Sequence, residues 1–87
     1  MVRSVFSPAY RHFRRRLIDA RKRSNLTQAV LAKRLGRPQS FVAKYEQGER
    51  RIDVIEFLEI ADALRLDPGT FVSTLHRAIR KKRPRRE

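Results

Sequence analysis

The chain has no cysteine and no tryptophan, and only two histidines, three glycines and four prolines among its 87 residues. Without cysteine there is neither a disulfide framework nor a thiolate metal site, a usage that fits a reducing cytoplasm. His12 and His76 stand far apart with no acidic ligand cluster beside them, so solvated side chains are expected rather than a metal site. No apolar run approaches the ~20 residues needed to cross a bilayer. The N-terminal segment lacks the apolar core of a signal peptide. No glycine-rich phosphate loop and no nucleophile with a recognisable base are present. Glu56, Glu59 and Asp62 recur every three residues, which fits a solvated helix face better than metal-dependent nuclease chemistry. The expectation is a small soluble domain that is not an enzyme and needs neither cofactor nor metal.

Positive charge is what the chain has in excess. Twenty-two Lys and Arg stand against nine Asp and Glu, giving a net +13. Residues 76–87 hold seven of those cations and one Glu, or +6, leaving +7 on residues 1–75. Cations dominate from Arg3 to Lys44, while the acids gather later. This polarity points to one side built to meet a polyanion.

Start and stop signals predict five helices and no strand. Residues 1–6 show no pattern and are expected to form a flexible arm. Ser7-Pro8 opens a first helix over about 8–23, with Phe13, Leu17, Ala20 and Arg21 along one stripe. Arg11, Arg14, Arg15 and Arg16 wrap around it, and their spacing makes a solvated face the default. Thr27 caps a helix over about 28–35 that buries Leu31, Ala32 and Leu35, and Gly36 ends it by taking a left-handed backbone. A third helix runs from Pro38 or Gln39 to just before Gly48, with Val42 and Tyr45 inward. Asp53 and Glu56 have capping-box spacing, and Ile52 with Phe57 has that of a hydrophobic staple. The fourth helix, about 54–64, is expected to bury Phe57, Leu58, Ala61 and Leu64. Asp67-Pro68 opens the fifth, with Phe71, Val72, Leu75 and Ile79 as its apolar face. The domain spans 7–80, and a basic tail over 81–87, with nothing to bury, is expected to be disordered.

The segment Leu26–Gly48 is the most informative. Two short helices joined at Gly36 must cross steeply, leaving the second proud of the surface with polar groups outward. In a basic chain such a helix points to the DNA major groove. Leu26-Thr27-Gln28, Leu31-Ala32, Leu35-Gly36, Gln39-Ser40, Val42 and Glu46-x-Gly48 resemble the helix-turn-helix of the Cro and phage-repressor family. The likeness continues through Phe57, Leu58, Ala61, Leu64 and Leu66, covers about residues 10–75, and is strongest to short bacterial or phage regulators consisting of this domain alone. It implies an all-α, compact five-helix, lambda-repressor-like domain. It also implies a cytoplasmic, nucleoid-associated regulator that binds double-stranded operator DNA, usually as a two-fold homodimer.

Individual roles follow. Gln28, at the start of helix 2, is expected to meet a phosphate, as the matching glutamine does in the family. Gln39, opening helix 3, matches adenine N6 and N7 with its two-ended amide, and family members often read bases from this position. Ser40 suits a base edge or a phosphate; Lys44 suits guanine O6/N7 or a phosphate; Ala43 offers only an apolar contact to a thymine methyl. Phe41 belongs either to the core or to a sugar or thymine contact. Arg37, Arg50 and Arg51 flank helix 3 as phosphate clamps. The resemblance pairs Arg21 with Glu46 as a structural element fixing the reading helix. Competing readings are an antitoxin that also binds a toxin, a protein-interaction module that has lost DNA binding, and RNA binding through the tail. The last lacks stacking aromatics interleaved with charge.

Overall fold

A computed structural model describes residues 7–82, the side chain of Lys82 excepted. The expected arm at 1–6 and most of the expected tail lie outside the described residues. Within them are five helices and no strand: α1 Pro8–Arg23, α2 Gln28–Leu35, α3 Gln39–Gln47, α4 Val54–Ala63 and α5 Pro68–Lys82.

Four helices, α1, α2, α4 and α5, begin where a side chain satisfies a free N–H group. Ser7 accepts from the Tyr10 N–H, Thr27 from that of Val30, and Asp67 from that of Thr70. Asp53 and Glu56 form a reciprocal capping box at α4, the Asp53 side chain accepting from the Glu56 N–H and the Glu56 side chain from the Asp53 N–H. Such caps stabilise by roughly 0.5–2 kcal/mol each. Short stops are equally local: Gly36 and Gly48 close α2 and α3 at φ of 68° and 85°. Asn25 and Arg65 take the same left-handed backbone after α1 and α4.

The core gathers Leu17 and Ala20 of α1, Leu31 and Ala32 of α2, and Phe41, Val42 and Tyr45 of α3. Ile52, Phe57, Ile60, Ala61, Leu64 and Phe71 complete it. The α2 helix packs chiefly on α3, with α1 and α4 buttressing that pair and α5 closing over α1 and α4. An aromatic cluster joins α1, α4 and α5: Phe13 lies 5.7 Å from Phe57 and 6.1 Å from Phe71, ring to ring, and Phe57 lies 5.3 Å from Phe71.

Three details differ from expectation. Leu58 is not buried; Ile60 is. The α4 stripe that continues Phe57 at i+3, i+4 and i+7 is Ile60, Ala61 and Leu64, and Leu58 lies 100° off it. Val72 is half exposed for the same reason, one residue past the buried Phe71. Helix α5 also continues past Arg80 to Lys82. Lys81, exposed in the last turn, complements the helix dipole there.

The two closing glycines make a matched pair. A Cβ at Gly36 meets nothing within 4 Å, whereas one at Gly48 lies 3.2 Å from the Arg14 guanidinium carbon. Gly36→Ala should therefore cost only the left-handed backbone penalty, about 1–2 kcal/mol. Gly48→Ala should cost more, because Arg14 must also move. Urea denaturation of the two variants checks this order.

Candidate nucleic-acid interface

Helix α3 divides lengthwise. Phe41, Val42, Tyr45 and Glu46 are buried; Gln39, Ser40, Lys44 and Gln47 are exposed, with Ala43 half-buried between them. Pro38 stands at the N-cap and supplies no side-chain hydrogen bond, so the N-terminal end of α3 is open. The outer face is polar and carries one cation.

One flank is built on Glu46. Arg21 grips its carboxylate bidentately, Nε donating to Oε2 at 2.7 Å and Nη2 to Oε1 at 3.0 Å. The Gln28 amide donates to Oε1 at 2.9 Å. Arg21 also donates to the Leu26 carbonyl at 2.7 Å, and Arg14 to the Glu46 backbone carbonyl at 2.6 Å. One carboxylate therefore joins α1, α2 and α3. The side-chain hydrogen bonds to Glu46 hold the Arg21 guanidinium above its already high ordinary pKa, against the opposing effect of burial. Burial, reinforced by the nearby Glu46 charge, pushes the Tyr45 phenol well above its usual range.

The other flank is built on Glu56. Arg50 donates Nη1 to Oε1 at 2.9 Å and Nη2 to Oε2 at 2.8 Å. Arg37 stands farther off, 3.6 Å from Glu56 and 3.5 Å from Glu59. Both guanidinium groups lie over the Phe41 ring, at 4.4 Å for Arg37 and 4.9 Å for Arg50. Arg50 and the Asp53 N–H hold the Glu56 carboxyl at about 2, far below its ordinary 4.5, despite the opposing effect of burial. Arg51 is exposed, 5.6 Å over the Tyr10 ring, while the Tyr10 hydroxyl accepts from the Ile52 N–H.

A helix-turn-helix family profile matches residues 17–71. A solved structure described as an XRE-family like protein from Pseudomonas syringae pv. tomato str. DC3000 is similar at 44% identity. It has a TM-score of 0.78, and the match covers 80% of this chain and 85% of that one. Comparison with curated proteins finds no match. The chain belongs to the Cro/repressor-like helix-turn-helix family. That family comprises DNA-binding transcription regulators rather than enzymes, and membership implies double-stranded DNA as the ligand. Among the described residues no helix is long and apolar enough to cross a membrane.

Within this family frame, Gln39, Ser40 and Lys44 stand together on the open face of α3. Phe41 is core, not surface. Gln28 turns one amide N–H inward to Glu46, which leaves its second N–H for any outside partner. Arg50 has both terminal nitrogens on Glu56, while Arg37 makes looser ion pairs. Glu56 itself is buried, contrary to the solvated face expected for it with Glu59 and Asp62. It is the third residue of the capping box, so its side chain folds back onto the helix start, where Arg50 covers it. Arg14, expected to be solvated, is instead bonded to the end of α3. Its place seven residues before Arg21, beside the Leu17 stripe, is the one signal of this in the sequence.

Two variants test the flanks. Arg21 and Glu46 side chains are only 11% and 6% exposed, so Glu46→Ala leaves an uncompensated charge and should cost roughly 3–5 kcal/mol. Lys44→Ala should leave the melting temperature nearly unchanged. For Glu56 the folded carboxyl is the stronger acid, so its contribution is complete above pH 4.5 and is lost as pH falls toward 2. Glu56→Gln keeps a side chain able to close the capping box, and should flatten that part of the stability-versus-pH curve measured by urea titration.

Proposed function

We propose that this protein is a repressor that inserts α3 into the major groove of a two-fold operator and occupies it as a homodimer. The observation that carries the reading is the outer face of α3. Its polar side chains are exposed and unneeded by the fold, while the buried half of the same helix is fixed at both flanks by carboxylates. A major groove about 12 Å wide admits such a helix. Gln39 reads adenine, Ser40 and Lys44 contact base edges or phosphates, and Gln28, Arg37 and Arg51 meet the backbone. Arg50 serves mainly by bracing Glu56, with its remaining hydrogens toward phosphate. Val54, Ile55 and Leu58 lie exposed along one face of α4, an uncovered apolar strip that supports a second copy as partner. A toxin on that strip is the competing occupant.

Selecting bound duplexes from a random pool tests the proposal directly. A recurring motif with two-fold symmetry is expected; no motif, or a single unrepeated half-site, overturns the operator reading. On the selected duplex Gln39→Ala should lose roughly 1–3 kcal/mol while binding to random duplex stays nearly the same. Equal weakening on both would make Gln39 a backbone contact.

A further inference from the structure

Helix α1 carries a second cationic surface that the helix-turn-helix does not use. Arg11, Arg15, Ile18 and Lys22 follow one another at i, i+4, i+7 and i+11, and with Arg14 and Asp19 they line a groove of about 290 Å³. Four cations there face one carboxylate. Arg11, Arg15 and Lys22 are exposed, and among the described residues none makes a side-chain hydrogen bond or ion pair, not even with Asp19 four residues from Arg15. Like charges stacked along one helix face repel, and no pairing within the described residues accounts for the cluster.

The groove is tied to the reading helix. Arg14, which forms part of its wall, donates to the Glu46 carbonyl at the C-terminal end of α3 and packs against Gly48. Its Nε is buried and without a hydrogen-bond partner. The face from Arg11 to Lys22 covers eleven residue steps, about 16 Å of helix axis. A DNA strand presents one phosphate per 3.4 Å of axis, so several phosphates fit within roughly that length.

We propose that this α1 groove binds the DNA phosphate backbone flanking the operator, as a sequence-independent extension of the interface made by α3. The proposal rests on the reading of the protein as a duplex-DNA binder and adds a site to it. Phosphate oxygens replace the missing counter-charges of Arg11, Arg15 and Lys22, and Ile18 supplies the apolar floor against sugar.

The test compares wild type with the triple variant Arg11→Gln, Arg15→Gln, Lys22→Gln, and with Lys22→Gln alone. Glutamine is a good helix former, so α1 should persist, and thermal melts verify it. Affinity is measured against salt on the selected operator duplex, on the same duplex lengthened at both ends, and on random duplex. Each phosphate that the protein ceases to neutralise flattens the slope of log K against log salt by about 0.9. The slope should therefore flatten by about 0.9 in the single variant and by roughly 2–3 in the triple variant. Wild type should gain affinity on lengthening the duplex and the triple variant should not, with the operator-to-random ratio within a factor of a few of wild type. Unchanged slopes, or an equal gain on lengthening in both proteins, overturn the groove while leaving the regulator reading intact. A wild type that binds no duplex of any kind sinks that reading itself.

Discussion

Glu46 is a carboxylate buried in a protein that has few carboxylates. Moving it out of water is costly unless its oxygens are fully bonded, and here a bidentate arginine and a glutamine amide complete the set. The consequence is geometric. Arg21 comes from α1 and Gln28 from α2, and each must reach the same pair of oxygens on α3, so the three helices have one mutual orientation that satisfies the charge. Apolar packing around Val42 and Tyr45 is non-directional and would tolerate small rotations of α3; charge-assisted hydrogen bonds of 2.7–3.0 Å do not. Arg14 adds a fourth constraint by bonding the carbonyl of the same residue, and the left-handed turn at Gly48 leaves room for it.

Glu56 performs the corresponding task on the opposite flank, with a different balance. Phe41 lies beneath two guanidinium groups whose mutual repulsion is relieved by the shared carboxylate. As a result, two of the cations nearest α3 are already partly neutralised. A cation paired within the protein displaces fewer counterions when it meets a phosphate, so Arg37 and Arg50 contribute less to electrostatic affinity than their positions alone imply. In this domain Arg14, Arg21, Arg37 and Arg50 are engaged in holding α3, while Lys44 on its outer face makes no ion pair among the described residues.

The parts of this architecture that depend on near neighbours were legible in the residue order. Ser7, Thr27, Asp53 and Asp67 cap helices three residues downstream, and Gly36 ends α2, because each interaction closes within a single turn. The Arg21–Glu46 pair was also anticipated, through family likeness, whereas the residue order leaves Phe41 open between core and surface. What escaped were choices made across the fold. Leu58 and Ile60 are both apolar and both on α4, and only the direction of approach of α5 and α2 decides which is covered. The turn of Gln28 toward Glu46, the closure of Arg50 on Glu56 and the reach of Arg14 to α3 each join a cation or amide to one of several acids or carbonyls within its length. Composition and spacing cannot rank those partners; burial does, because an unsatisfied acid inside costs far more than an unsatisfied cation outside.

The same division lets one nine-residue helix hold the fold on one side and keep an open polar face on the other. The buried side chains of α3 lie on its inner half and the exposed polar ones on its outer half, with Ala43 at the seam. Changes at the exposed Gln39, Ser40, Lys44 or Gln47 therefore have little effect on whether the protein folds, whereas changes at the buried Tyr45 or Glu46 strike the fold itself. A reading residue is only as selective as its placement is rigid, since a glutamine amide displaced by an ångström no longer meets both adenine atoms. The two buried carboxylates supply that rigidity from beneath, which is why acids matter most in a chain whose ligand is itself an acid.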